Sequence, residues 1–124
     1  MSRKVRREEV DAARAAVAAD PGSVGPHLAL AELLLDAGDW KRAVDAAEQA
    51  LVVDVECLDA HLLRGQAFVR GRKHAKAEEA FRAGLVFHPT STRARRGVAV
   101  SLARRGRRAE ALAVFAELAR DEEP

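Results

Sequence analysis

Three stretches decide the fold: His27-Leu28-Ala29-Leu30-Ala31, His61-Leu62-Leu63-Arg64-Gly65 and Arg95-Arg96-Gly97-Val98-Ala99. They are evenly spaced along the chain, at the interval of about 34 residues that marks one class of helical repeat. A fixed period of this size is the sequence form of a stacked helical array, since each unit is a supersecondary element that cannot bury its apolar face alone. Such arrays bury a continuous core by stacking and leave one long surface for a partner. The pattern implies holding something rather than transforming it.

Working outward from the first stretch, His27, Leu30, Ala31 and Leu34 fall at i, i+3, i+4 and i+7, one stripe of a helix over about 24–37. Pro26 fits the first turn, where its missing N–H costs nothing. Gly38-Asp39 breaks the helix, and Asp39 can cap the next one, over about 40–53. Ala43, Ala47, Ala50 and Leu51 line that second stripe. The scheme recurs over about 58–70 and 74–87, and again over 92–105 and 108–121. Upstream, the Ala-rich run 9–19 is a further helix, stopped by Asp20-Pro21-Gly22-Ser23, and residues 1–6 are expected to fray. Links of two to four residues force antiparallel neighbours. The expectation is seven helices, no strand, and about three-quarters of the chain helical.

Composition agrees. The 48% hydrophobic content is mostly Ala, Leu and Val, with no Tyr, one Trp and four Phe, which suits closely packed helices and not sheets. Net charge is +2, but its distribution is polar along the chain. Residues 24–57 carry seven acids against Lys41 and Arg42, whereas residues 80–109 carry eight arginines and no acid. Cys57 is the only cysteine, which points to a reducing compartment and a cytoplasmic location. No apolar run approaches the roughly 18 residues that would span a bilayer. The basic start leads into Glu8, Glu9 and Asp11 rather than an apolar stretch, so it does not read as a secretory signal.

The repeat resembles the tetratricopeptide repeat, whose motif runs W-x2-L-G-x2-Y, then A-x3-F, then P. The first half is met by His27-x2-Leu30-Ala31-x2-Leu34, His61-x2-Arg64-Gly65-x2-Phe68 and Arg95-x2-Val98-Ala99-x2-Leu102. The second half is met by Ala43-x3-Ala47, Ala77-x3-Phe81 and Ala111-x3-Phe115. Pro89 supplies the closing proline, which Val55 and Glu123 replace elsewhere. The resemblance implies an all-α fold: a right-handed superhelical stack of three hairpins in one domain, 1–124. The N-terminal partial-repeat helix is 7–22, and the repeats are 24–57, 58–91 and 92–124. Ala31, Gly65 and Ala99 let the helices approach. Phe81 and Phe115 fill the gap between hairpins, and Ala47 fills it poorly. Arg64 stands where the family has an apolar residue, and should snorkel or pair.

By the same resemblance, the first helix of each hairpin lines a concave groove that binds a peptide or protein. Its candidate residues here are Leu28, Glu32 and Leu35 from the first repeat, and Leu62, Gln66, Val69 and Arg70 from the second. Arg93, Arg96, Val100 and Arg104 come from the third. Gly25, Asp36, Asp59, Leu63 and Gly97 share that flank, giving an acidic end, an apolar middle and a basic end. One subclass of the family clamps the C-terminal carboxylates of chaperones. Leu28, Glu32, Leu63 and Gly97 occupy four of its five places and only Arg93 fits, so that function is not expected.

Other chemistry has little footing. His27 and His61 hold equivalent places, but as metal ligands they would need further partners at tetrahedral reach, so no metal is assigned. Ser101 has no histidine in its repeat to act as a base, and no glycine-rich phosphate loop is present; neither catalysis nor a cofactor is expected. The arginine cluster reads as a solvated face, as a site for an acidic peptide or protein, or as a nucleic-acid contact. The last lacks aromatic platforms, since none lies between Phe87 and Phe115. These leave a non-enzymatic adaptor or assembly module as the first reading and a nucleic-acid-associated accessory protein as the alternative. The last helix is apolar nearly all round. Leu112, Val114 and Leu118 cannot all face inward at a 3.6-residue period, so they mark a candidate face for a homodimer or another chain.

Overall fold

Residues 4–122 are described by the structure, a computed structural model. The basic start at residues 1–3, and Glu123 at the third closing-proline place, lie outside them. Among the described residues there are seven helices and no strand: α1 Arg7–Ala19, α2 Val24–Asp36, α3 Trp40–Val53, α4 Leu58–Arg70, α5 His74–Phe87, α6 Thr92–Arg104 and α7 Arg108–Glu122. The periodicity placed every one of them to within a residue or two. No helix is long and apolar enough to cross a membrane.

The hairpin turns are built alike. Gly38, Arg72 and Gly106 hold the same place in successive repeats, and all three take a left-handed backbone, at φ 84, 59 and 80°. After each, a backbone N–H closes the helix end: Asp39 donates to the Leu34 carbonyl, Lys73 to Phe68 and Arg107 to Leu102, at 2.8–2.9 Å. Arg72 adopts this conformation despite its Cβ, at a cost of roughly 1 kcal/mol. The Asp39 carboxylate accepts from the Arg42 N–H at 3.2 Å and caps α3. The Ser91 hydroxyl accepts from the Ala94 N–H at 3.2 Å and caps α6.

The links between hairpins are held by histidine. The Nε2 of His27 lies 2.9 Å from the Pro21 carbonyl, and that of His61 lies 2.8 Å from the Val55 carbonyl, six residues upstream in both cases. A carbonyl only accepts, so Nε2 carries the proton in each ring. Both side chains are buried and both tie a linker to the helix it feeds. No group of three ligating side chains converges among the described residues. In the third repeat Arg95 takes this place, and instead bonds Asp121 of α7 at 2.7 Å.

Each helix packs on the next in order, and α2 also touches α4 and α4 touches α6. The backbones of the second helices α3 and α5 stay more than 8 Å apart, Cα to Cα. First helices that touch and second helices that splay give the stack a concave face on the side of α2, α4 and α6. The core runs along the interior as one cluster from Leu30 to Ala111.

Its best-defined junction is Phe81, 4% exposed. A Cβ added at Gly65 or at Gly97 would meet its ring at 2.6 and 2.5 Å. One glycine comes from its own hairpin and the other from the next, so the ring fills the space that both leave. The equivalent trio one repeat earlier is Ala31, Leu63 and Ala47, all buried. There the bulk has moved from the second helix to Leu63, and Ala47 is fully covered. The equivalent of Phe81 one repeat later, Phe115, is not a gap filler: no hairpin follows among the described residues, and it stands 38% exposed.

Two charged groups on the junctions are paired. Arg64 bonds Glu48 at 2.9 Å with its guanidinium 5.2 Å over the Phe68 ring, as its place in an apolar position requires. Glu78, buried on α5, takes Arg82 at 2.8 Å and Arg105 at 2.6 Å, the second reaching across from the end of α6. Burial would raise the Glu78 carboxyl, but the hydrogen bonds and charges of the two arginines outweigh it and hold it below its ordinary 4.5.

Two outcomes follow for stability. Phe81→Ala empties the junction and should cost about 3–5 kcal/mol. In so small an array a thermal melt should then show the chain largely unfolded, and a shift of a degree or two would place Phe81 outside the core. For Glu78, a carboxylate held below its ordinary value contributes stability that is complete above it and is lost as pH falls through the lowered value. Glu78→Gln should therefore cost about 1 kcal/mol at neutral pH. Melts across pH should show the difference closing once the pH drops below 4.5.

Candidate functional site

The concave face holds two adjoining hollows, of ≈ 340 and ≈ 300 Å³. Leu35, Leu62, Gln66, Arg70 and Arg93 line both, so they form one groove crossing α2, α4 and α6. Its construction follows from the helical period. Leu35 and Leu62 are buried floor, Val69 and Val100 are half-buried walls, and the charged side chains stand at the rims. Glu32, Asp36 and Asp59 edge the hollow nearer α2, while Arg96 and Val100 belong to the one nearer α6. Arg70 sits between them and donates to the Leu35 carbonyl at 3.5 Å.

Most of the residues named from sequence meet in this groove. Leu28 does not line either hollow; it is half-buried against the core. Arg104 also lies elsewhere. It lines a separate hollow with Arg72, Lys73, His74, Lys76 and Arg105, over the turn into α5. Phe81, expected only as a gap filler, is also a groove residue, since it lines the hollow nearer α6. The signal was Gly97: α6 has no side chain where α4 carries Leu63, so the ring packs directly behind the α6 backbone.

The arginine cluster of residues 80–109 is not one patch. Arg82 and Arg105 are engaged by Glu78, Arg95 by Asp121 and Glu117, and Arg107 approaches Glu110 at 3.9 Å. Only Arg93 and Arg96 reach the groove. A run that looks uniform in sequence is divided by helix geometry among internal ties, the groove and the turn edge.

The C-terminal face differs in part from the one expected. Leu118 is 4% exposed and Val114 packs on the core, so neither forms an outer surface. What α7 presents is Leu112, 65% exposed, and Phe115. The equivalents of Leu112 in the earlier hairpins, Val44 and Glu78, are both covered. The face on α7 is thus the one that a following hairpin would cover.

The tetratricopeptide repeat model matches residues 28–92, over half of the chain, and the chain belongs to that family. No curated protein matches the sequence. Among solved structures, a MamA protein is 22% identical with a TM-score of 0.83, over 91% of this chain and 62% of that one. TTC0263, a thermophilic tetratricopeptide repeat protein of Thermus thermophilus, is 22% identical with a TM-score of 0.77, over 88% of this chain and 61% of that one. This chain therefore spans about three-fifths of the length of either. The second tetratricopeptide domain of human RPAP3, solved with the HSP70 peptide SGPTIEEVD, is 21% identical with a TM-score of 0.70, over 74% of this chain and 77% of that one.

Proposed function

We propose that the chain is a single-domain, non-enzymatic adaptor or assembly module that binds a protein segment in the groove of α2, α4 and α6, in the cytoplasm. The observation that carries this reading is the groove: a continuous concavity with an apolar floor at Leu35 and Leu62 and cations at Arg70, Arg93 and Arg96. An apolar floor supplies affinity and rim charges supply selection. A fold of the same kind presents a peptide in the RPAP3 domain. Arginine forks suit a carboxylate-bearing partner through charge-assisted contacts. Nucleic acid is the weaker alternative, because the groove carries acids beside its arginines and its aromatic residue, Phe81, is too buried to stack on a base.

The test is capture of the native partner followed by calorimetric titration. Arg96→Glu should weaken it more than tenfold. Unchanged affinity would leave the arginine end as solvated surface and retire this reading.

A second surface supports self-association. Leu112 and Phe115 lie three residues apart on the outer side of α7, and a twofold pairing of two α7 helices would cover both. Sedimentation at micromolar concentration should show a dimer that Leu112→Glu dissociates. A 13.4 kDa monomer indifferent to that substitution would free the face for a different chain.

A further inference from the structure

The groove's charges differ by helix: α2 brings Glu32 and Asp36, α6 brings Arg93 and Arg96, and α4 brings one of each sign, Asp59 and Arg70. Among the described residues Glu32, Asp59 and Arg93 make no hydrogen bond or ion pair, and Arg70 makes only its long bond to a carbonyl. All four are exposed and line the same hollow, yet they do not pair with one another. Among the less exposed charges, by contrast, Arg64 pairs with Glu48, Arg95 with Asp121, and Glu78 with two arginines.

The register of the repeats shows how they are ordered. Equivalent places on α2, α4 and α6 read Glu32, Gln66, Val100 in one row and Asp36, Arg70, Arg104 in another. Two further rows read Gly25, Asp59, Arg93 and Leu28, Leu62, Arg96. Each row ends less acidic or more basic on α6 than it begins on α2, although Asp59 on α4 interrupts the third and Leu28 and Arg104 stand outside the groove. The difference runs across the stack, over the floor formed by Leu35 and Leu62.

Building on the groove reading above, we infer that the ligand is a dipolar segment: a basic end over α2, an apolar centre, and an acidic end over α6. A purely acidic segment would set one end against Glu32 and Asp59, and a purely basic one would meet Arg93 and Arg96. Packed helices lie about 8–10 Å apart, so the two ends of the groove are roughly 16–20 Å apart. An extended chain advances about 3.3 Å per residue, which places the ligand's opposite charges about five or six residues apart.

Four acetylated and amidated synthetic peptides test this by fluorescence anisotropy at low salt: KKALLAEE, its charge-reversed form EEALLAKK, all-acidic EEALLAEE and all-basic KKALLAKK. The two dipolar forms cover both chain directions. One of them should bind about tenfold more tightly than either single-sign peptide, the effect of two exposed ion pairs made and two repulsions avoided. In the Glu32→Lys/Asp59→Lys variant, which alters exposed positions only, the all-acidic peptide should become the tightest. If the all-acidic peptide matches the better dipolar one on the unaltered chain, the charge-order inference fails and the acid-binding groove stands. If none of the four binds, the groove reading fails together with the inference.

Discussion

Everything in this molecule depends on how closely successive hairpins can approach, and one ring at one junction shows the rule. Phe81 occupies the volume left by Gly65 and Gly97, and neither glycine could gain a methyl group without moving it. Close packing leaves no slack for a mismatch of that size. The first junction obeys the same total with a different division, Ala31 and Ala47 around Leu63. Conserving the sum while moving the bulk from one helix to another keeps the spacing of α2, α4 and α6 regular. It is that spacing, with α3 and α5 held apart, which makes the face concave.

The same packing decides which charges can reach a ligand. Glu78 occupies a place that holds Val44 in the hairpin before, so its carboxylate is drawn into the junction and must be satisfied there. It takes Arg82 and Arg105 for the purpose and ties the second hairpin to the third. Arg95 is used in a similar way by α7. A buried charge is tolerated only with partners of this kind. Of the arginines in residues 80–109, those left for the groove are Arg93 and Arg96 of α6, beside Arg70 of α4.

How much of this was legible follows from what period encodes. Helix placement, the turns at Gly38 and Gly106, and the small residues at Ala31, Gly65 and Ala99 depend on local spacing, and the sequence displays them directly. Which flank is concave does not follow from period, and came from the family resemblance. Arg104 illustrates the remaining difficulty. It sits on the groove flank by register, but at the last turn of α6 its long side chain lies over the turn into α5, beside Arg72 and Lys73. Phe115 shows another. Its motif position is that of a gap filler, but a gap requires a second wall, and motif matching counts residues without asking whether the next hairpin is there.

An array of this kind distributes its stability unevenly, because each unit is held only by its neighbours. The middle hairpin has two. Seven residues of α4 and five of α5 are buried, whereas α1 has none. On α7 the covered apolar side chains are Ala111 and Leu118. Local opening should therefore begin at the ends and reach α4 last. The groove inherits that gradient: its floor at Leu62 and its walls at Gln66 and Val69 are on the most strongly held helix, while Glu32 and Arg93 stand on flanking helices. A ligand crossing all three would draw the flanking helices onto a centre already fixed. Binding and array stability would then be coupled through the contacts of α4 with α2 and α6.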